Sequence, residues 1–207
     1  MQIHHLSENN SVLNHFLGQI RDVNIHNDSL RFRKNMERIG EIMAYEISKN
    51  LDYQAVAIPT PLGTKATHYI KNPLVICSIL RAGLTLHNGF LNYFDAAENG
   101  FISAYRHHPN NDDFFEIIVQ YQAVADINNK TVVVVDPMLA TGQSIVAVFK
   151  RLMERGTPSE IHIAVVIAAP EGIAHLETEL PDTCHLWIAA TDDHLNEHSY
   201  IVPGLGD

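Results

Sequence analysis

One stretch decides the fold of this chain: Val132-Val133-Val134-Val135-Asp136-Pro137-Met138-Leu139-Ala140-Thr141-Gly142-Gln143-Ser144. The four valines predict a buried strand, and a helical pattern begins at Gln143. The connecting turn and the first helical turn present unpaired amide groups at the positive end of a helix dipole, which suits a phosphate. Thr141 and Ser144 can add hydroxyl donors, and Asp136 can accept hydrogen bonds from sugar hydroxyls. The stretch therefore predicts a phosphate site, although an ordinary strand-to-helix connection capped by Thr141 or Ser144 has the same pattern.

On both sides of this stretch, short apolar segments alternate with helical ones. Buried β-branched strands that alternate with helices are typical of a mostly parallel sheet with helices on both faces, so the predicted fold class is α/β. Ligands of such sheets bind beyond the carboxyl ends of the strands. The predicted strands are 74–79, 100–105, 131–135, 161–168 and 184–190, and the helices between them are 82–94, 143–154 and 171–180.

Residues 1–50 are predicted to form an N-terminal helical arm. Apolar residues at helical spacing indicate a first helix around 12–20. A second helix is predicted to start at Asp28 or Ser29, as its cap, and to run through Lys49. This second helix carries a basic cluster that is a solvated face, a phosphate contact or a subunit contact, namely Arg31, Arg33, Lys34 and Arg38.

Two further segments are predicted to form β-hairpins. Strands 53–58 and 64–70 are joined across the turn 59–63, which contains two prolines and a glycine. Residues 107–129 are longer than an ordinary connection and are predicted to form a lid over the site. Their histidines and aspartates lack the fixed spacing of a metal site, so a solvated loop is favoured over a metal cluster.

The composition limits the kind of protein this is. A chain of 207 residues that is 46% apolar predicts a single domain spanning 1–207. The formal net charge of −10 argues against nucleic acid or an anionic membrane as partner. The polar first ten residues lack an apolar signal region, and no apolar run approaches the roughly 20 residues that span a bilayer. We expect a cytoplasmic protein whose Cys77 and Cys184 are reduced thiols.

The central stretch resembles the PRPP-binding motif of phosphoribosyltransferases, where PRPP is 5-phosphoribosyl 1-diphosphate. Its Asp-Pro-Met-Leu-Ala-Thr-Gly form is similar to that of the uracil phosphoribosyltransferase family, and the resemblance runs from about residue 31 to the last residue. The other segments that match in order are Ile79-Leu80-Arg81-Ala82-Gly83-Leu84, Tyr105-Arg106, Ala168-Ala169-Pro170-Glu171-Gly172-Ile173, Leu195-Asn196-Glu197-His198 and Tyr200-Ile201-Val202-Pro203-Gly204-Leu205-Gly206-Asp207.

The resemblance implies an enzyme that joins N1 of uracil to PRPP, giving UMP and diphosphate. Arg81 and Arg106 would hold the diphosphate and Asp136 would face the ribose hydroxyls, so these three would carry the catalysis. Mg²⁺ would ride mainly on the diphosphate, without a set of protein ligands of its own. The family also implies a homodimer or a larger homo-oligomer.

The same resemblance implies which residues contact each substrate. The backbone of Ile201 and Gly206, within a C-terminal base-binding segment 191–207, would read the edge of uracil. Asp207 would contact uracil and PRPP. The residues that would bind PRPP together with Arg81, Arg106 and Asp207 are Asp136, Pro137, Met138, Leu139, Ala140, Thr141, Gly142, Gln143 and Ser144.

The chain departs from the family pattern at several positions. Gln143 replaces a glycine, and if that position required a positive φ the change would cost roughly 1 kcal/mol or more. Thr85 and Asn88 replace a glycine and an aspartate after Arg81, and the sequence stops at Asp207 where the family continues, which predicts weaker uracil binding with PRPP binding retained. These departures leave two alternatives open: a regulatory paralogue that binds PRPP or a nucleotide, and a transferase for another pyrimidine-like base.

Overall fold

The computed structural model describes residues 1–107 and 116–206. Among these residues, the helices are α1 Val12–Arg21, α2 Ser29–Ser48, α3 Leu84–Leu91, α4 Gln143–Met153 and α5 Pro170–Glu179. The strands are β1 Gln2–His5, β2 Tyr53–Thr60, β3 Gly63–Ile70, β4 Leu74–Leu80, β5 Glu98–His107, β6 Glu116–Ala123, β7 Thr131–Leu139, β8 Glu160–Ala168, β9 Cys184–Thr191, β10 His194–Leu195 and β11 Ile201–Val202.

A seven-stranded sheet organises the molecule in the order β1-β9-β8-β7-β4-β5-β6. Every neighbouring pair is parallel except β5 and β6. The valine run places β7 in the middle of this sheet, where Val132 to Val135 are buried. The predicted α/β class with a mostly parallel sheet is confirmed.

The valine run also shows how the helices cover the sheet. Val133 and Val135 belong to a core that includes residues of α1, α2 and α3. Val132 and Val134 belong to a second core that includes residues of α4 and α5. Because successive strand residues point to opposite faces, the sheet is packed by helices on both sides, as predicted.

The N-terminal helices begin where side chains can cap them. The Asp28 carboxylate accepts hydrogen bonds from the Leu30 and Arg31 amides, so the predicted cap of α2 is confirmed. The expectation that helices come first is wrong, because β1 precedes them and pairs in parallel with β9. The sequence of β1 is mostly polar and has no apolar pattern from which a strand could be predicted. This strand forms by pairing with β9 at the edge of the sheet.

Several predicted boundaries also differ from the structure. β7 continues to Leu139 because β8 still pairs with it there, so Asp136 lies inside the strand rather than at its end. The β2–β3 hairpin turns at 61–62 alone. α3 is shorter than the predicted 82–94 because a turn occupies 81–83.

The lid prediction falls partly outside the described residues, which omit 108–115. β6 pairs antiparallel with β5 and forms the edge of the main sheet, so a strand does follow β5 as predicted. Its action as a lid stays a prediction. In the part of the chain described, no helix is both long enough and apolar enough to cross a membrane.

Candidate functional site

The connection between β7 and α4 has the geometry of an anion site. Gly142 precedes α4 with φ of 80°, a left-handed conformation that favours glycine. The first α-helical hydrogen bond runs from the Val146 amide to the Gly142 carbonyl, so the amides of the first turn precede it. No side chain caps this helix end. The capping by Thr141 or Ser144 that an ordinary connection would use is therefore not found, and phosphate binding stays a prediction.

Gln143 raises no conformational difficulty at this loop. It is the first residue of α4, and it is not among the residues with positive φ. The glycine that the turn requires is Gly142, whose added Cβ would also lie 3.1 Å from the Gly172 carbonyl oxygen. The cost expected for a positive φ at Gln143 therefore does not arise.

A cavity of about 190 Å³ lies on this loop and includes the predicted acid. Asp136 is half-buried, and desolvation raises the pKa of its carboxyl to about 7, while a weak hydrogen bond from the Met138 amide opposes the rise. A polar group from a ligand would favour its charged form. The lining residues are Asp136, Met138, Leu139, Ala140, Thr141, Gly142, Ser144 and Ile145.

A second cavity of about 230 Å³ adjoins the first and reaches the C-terminal segment. Its walls combine apolar side chains with backbone groups of a glycine-containing turn, which is the mixture expected where a flat heterocycle is read by the main chain. Met138 and Ala140 line both cavities. The lining residues are Met138, Ala140, Ile167, Ser199, Tyr200, Ile201, Gly204, Leu205 and Gly206.

A third cavity of about 420 Å³ lies between α2, the β4–α3 turn and the end of β7. Of the basic cluster on α2, only Arg33 lines it, which leaves the phosphate-contact alternative open for that residue. Met138, 42% exposed, lines all three cavities and stands where they meet. The lining residues are His26, Asn27, Phe32, Arg33, Met36, Ala82, Thr85, Pro137, Met138, Leu205 and Gly206.

The C-terminal segment is folded by side-chain contacts. The Asn196 side chain accepts hydrogen bonds from the His198 and Tyr200 amides, each 3.0 Å long. Asp192 and Arg21 bind the backbone of Gly204 from the other side of the segment. Sequence reasoning missed Arg21 and Asp192, because no local pattern relates the end of the first helix to the end of β9.

The remaining predicted site residues are Arg81, Arg106 and Asp207, of which the structure describes the side chain of Arg81 alone. Arg81 is exposed in the turn after β4, and it is not among the residues that line the three cavities, whereas its neighbours Ala82 and Thr85 line the third. Gly83 holds this turn against β7, because a Cβ there would lie 2.7 Å from the Val135 carbonyl oxygen. The predicted roles of the Arg106 side chain and of Asp207 concern parts of the chain that the structure does not describe.

Thus Asp136 and the residues from Pro137 to Ser144, apart from Gln143, line these cavities together with Ile201 and Gly206. Their roles in binding a substrate stay predictions. Asn88 is exposed on α3 and is not among the lining residues. Within the described ranges, no group of three or more His, Cys, Asp or Glu side chains is arranged to hold a metal ion. The arrangement places the start of α4, where an anion is favoured, beside a cavity lined by apolar side chains and backbone groups.

Comparisons of sequence agree with this arrangement. The profile of a family described as uracil phosphoribosyltransferase matches residues 7–207. The uracil phosphoribosyltransferase of Porphyromonas gingivalis is 48% identical over 207 residues, covering 100% of this chain and 95% of that relative. The one from Thermococcus gammatolerans is 35% identical over 203 residues, covering 97% and 88%.

Comparisons of structure give the same class of fold. The AQ2163 protein from Aquifex aeolicus superposes with a TM-score of 0.88 at 29% identity, over 100% of this chain and 95% of that protein. A hypoxanthine phosphoribosyltransferase from Staphylococcus aureus superposes with a TM-score of 0.51 at 13% identity, over 84% and 85%. At that identity the second likeness concerns the fold alone.

Proposed function

This chain belongs to the uracil phosphoribosyltransferase family, and we propose that it transfers the ribose 5-phosphate of PRPP to N1 of uracil, giving UMP and diphosphate. The observation that carries the proposal is the junction of two cavities, one on the β7–α4 loop and one on the C-terminal segment. Met138 and Ala140 line both. No observation favours the regulatory paralogue or a different pyrimidine-like base.

We place the phosphoribosyl group along β7 and its loop. The 5-phosphate binds the amides and hydroxyls of 140–144 at the start of α4, where the helix dipole favours an anion. Asp136 accepts hydrogen bonds from the ribose hydroxyls, which stabilises its charged form against the desolvation that raises its pKa. The diphosphate then extends toward Arg81 and Arg106, whose guanidinium groups bind it through several donors.

Uracil occupies the second cavity. Its flat faces pack against apolar side chains such as Met138 and Ile167, which line the cavity. Its polar edge meets backbone groups of Ile201 and Gly206, and Asp207 contributes from beyond the described residues. This placement brings N1 toward the ribose because the two cavities meet at Met138.

The reaction is a displacement at the anomeric carbon. The bond from N1 of uracil to that carbon forms as the bond from the carbon to the diphosphate oxygen breaks, and the N1 proton is released. Positive charge develops on the sugar and negative charge on the leaving group. Asp136 faces the developing positive charge, and Arg81 and Arg106 stabilise the diphosphate, so the catalysis is electrostatic and positional.

We propose Mg²⁺ as the cofactor, carried mainly by the diphosphate. The residues present fit such an ion, because Asp136 offers a carboxylate in the phosphate cavity and its pKa near 7 would fall beside a cation. Mg²⁺ tolerates few direct protein ligands and keeps several waters. When bound, it supplies charge neutralisation on the leaving group.

Assembly into a homodimer or larger homo-oligomer is also a proposal. Large apolar side chains that are exposed on α2 and on the β2–β3 hairpin support it, namely Tyr45, Tyr53, Leu62 and Tyr69. The cytoplasmic location and the treatment of 107–129 as a lid stay predictions.

UMP formation from uracil and PRPP with Mg²⁺ tests the function directly. We expect turnover by the unmodified chain and a fall of about 10²-fold in kcat/KM for PRPP in Arg106→Ala, the size of loss typical when one charge-stabilising donor is removed. Arg151→Ala is the matched control, since Arg151 lies at the far end of α4 in a surface pair with Glu154. Turnover with cytosine but not with uracil would contradict the assigned base, and no turnover would contradict the enzyme assignment.

A further inference from the structure

Arg21 and Asp192 together bind both backbone polar groups of one residue of the C-terminal segment, Gly204. Arg21, the last residue of α1, donates from Nη1 to Asp192 Oδ2 at 2.9 Å and from Nη2 to Asp192 Oδ1 at 2.5 Å. The same Nη1 donates to the Gly204 carbonyl oxygen at 3.1 Å. The Gly204 amide donates to Asp192 Oδ2 at 2.9 Å. The backbone amide and the carbonyl of Gly204 are therefore both hydrogen-bonded to the bidentate Arg21–Asp192 ion pair.

This ion pair is anchored in the core rather than on the surface. The side chains of Asp192 and Arg21 are 3% and 23% exposed. The Asp192 amide donates to the Ala168 carbonyl oxygen at the end of β8, at 2.8 Å. Exposed pairs of this kind contribute little, but a buried, bidentate pair fixes geometry, because either charge left alone would be poorly solvated.

Gly204 in turn determines the shape of the base pocket. It has φ of 64°, and a Cβ there would lie 2.3 Å from the Ile201 carbonyl oxygen, so this tight turn accepts only glycine. The turn joins Ile201 to Leu205 and Gly206, all of which line the second cavity. Arg21 and Asp192 are not among the residues that line the three cavities, and they reach the pocket only through Gly204.

We infer that Arg21 and Asp192 are positioning residues that set the affinity for uracil by fixing the turn at Gly204, and that they affect PRPP much less. The inference rests on the proposed function, since it concerns the base pocket of that reaction. PRPP binding is expected to depend little on the pair because the phosphate loop is built on β7 and α4, with Gly142 and Gly172 packed against each other. A loosened turn misplaces the backbone groups that read the base and leaves this loop intact.

The variants for the test keep the fold as far as possible. Arg21→Lys keeps the positive charge but loses the fork that binds Asp192 and Gly204 together. Asp192→Asn keeps an acceptor for the Gly204 amide but removes the negative charge. Lys130→Met is the matched control, because it breaks the Lys130–Glu98 pair, a partly buried ion pair at the amino ends of β7 and β5.

The measurement is steady-state UMP formation, with uracil varied at saturating PRPP and PRPP varied at saturating uracil. We expect KM for uracil to rise about tenfold in Arg21→Lys and in Asp192→Asn, with KM for PRPP changed less than about twofold. The double variant should show much less than the product of the two single effects, because both side chains act through Gly204. Lys130→Met should leave both KM values unchanged.

Each other outcome counts against the inference. Equal changes in both KM values would mean that the pair only supports the fold. Unchanged KM values in catalytically active variants would mean that the backbone turn at Gly204 keeps its shape without the pair. If a variant loses turnover, PRPP binding by calorimetry decides: retained PRPP binding with no measurable uracil binding supports the inference, and loss of both overturns it. No turnover by the unmodified chain would overturn the proposed function and the inference with it.

Discussion

The phosphate side of the site consists of consecutive residues, whereas the base side consists of residues brought together from distant parts of the chain. Asp136 to Ser144 follow one another through a central strand, a loop and a helix start. The turn at Gly204 depends on Arg21 from α1 and on Asp192 from the end of β9. One side is thus held by the core of the sheet, and the other by a small set of polar contacts.

This difference predicts how each side responds to change. Substitutions on the phosphate side should change both PRPP binding and stability, in the same or in opposite directions, because the loop and the sheet share the same residues. Substitutions on the base side should affect uracil more than PRPP, as argued for Arg21 and Asp192. The first variants test the phosphate side. Later ones test the sheet edge formed by β1, β9 and β8, and the last tests the start of α4.

Removing the charge of Asp136 should have the largest effect and should separate activity from stability. We expect Asp136→Asn to lower kcat/KM for PRPP about 10²-fold or more, because a neutral amide cannot stabilise positive charge on the sugar. The pKa of Asp136 is raised to about 7 in the folded chain, so its contribution to stability is present at low pH and is lost as the pH rises from about 4 to 7. Without ligand, the Asp136→Asn variant should therefore be more stable than the unmodified chain at pH 8, by on the order of 1 kcal/mol.

Two measurements check this expectation. UMP formation gives the activity, and urea unfolding of the unliganded protein at pH 8 and at pH 5 gives the stability. The gain in free energy of unfolding should be larger at pH 8 than at pH 5, because pH 5 lies below the folded pKa of about 7. A variant that is less stable at pH 8 would show that Asp136 is not destabilised by desolvation.

The contact between the phosphate loop and α5 should give the next largest effect. A Cβ at Gly172 would lie 2.2 Å from the Ala140 carbonyl oxygen and 3.0 Å from the Leu139 side chain. We expect Gly172→Ala to raise KM for PRPP about tenfold and to reduce the free energy of unfolding by about 1–3 kcal/mol, the usual cost of overpacking. Kinetics with PRPP varied and urea unfolding measure the two effects.

Gly18→Ala is the matched control for this substitution. Gly18 lies in α1, and a Cβ there has no neighbour within 4 Å. Alanine should stabilise the helix by up to about 1 kcal/mol and leave KM for PRPP unchanged. Similar losses in both variants would mean that the contact with Ala140 does not determine the loop.

The contrast between the two sides also explains how far the sequence could predict the molecule. The valine run and the Asp28 cap are local signals, and they gave the central strand and the start of α2 correctly. The role of Asp192 could not be predicted, because its partner Arg21 lies 171 residues away in the chain and an aspartate after a strand carries no pattern by itself. β1 was missed for the same reason, since its partners are on β9.

Acid should destabilise the sheet edge formed by β1, β9 and β8. His162 is fully buried, and desolvation, with His185 and His4 nearby, lowers its pKa to about 3. Its Nδ1 accepts a hydrogen bond from Trp187 Nε1 at 3.1 Å, so the ring is held neutral. A lowered histidine pKa means that the unfolded chain binds the extra proton, so this stability is present above about pH 6.5 and is lost as the pH falls from there toward 3.

Other charged groups at this edge act in both directions. Desolvation also lowers the pKa values of His4 and His185, while the Glu160 carboxylate opposes the shift of His185 and its Oε2 lies 3.5 Å from His162 Nε2. The amino terminus, paired with Asp182, lowers the pKa of His185. The histidines outnumber the opposing carboxylate, so the net effect of acid on the folded state is destabilising.

The change that isolates this effect is His162→Asn, which keeps an acceptor for Trp187 but cannot titrate. We expect the fall in free energy of unfolding between pH 7 and pH 5.5 to be smaller in the variant by about 1 kcal/mol, given at most about 1.4 kcal/mol per pH unit for one proton. Urea unfolding at several pH values measures the slope. His198→Asn is the control, because the His198 side chain is 70% exposed, and an equal loss of slope there would contradict the assignment.

The smallest effect is expected at Gln143, one of the positions where the chain departs from the family pattern. Gln143 begins α4 without a positive φ, and the adjacent Gly142 provides the left-handed turn. Gln143→Gly should therefore change KM for PRPP less than about twofold and should lower stability by less than about 1 kcal/mol, through helix propensity alone. Gly142→Gln should raise KM for PRPP at least about tenfold, because it forces a side chain into the left-handed region and toward the Gly172 carbonyl. If Gln143→Gly improved PRPP binding tenfold instead, the first residue of the helix, and not the glycine before it, would limit the phosphate site.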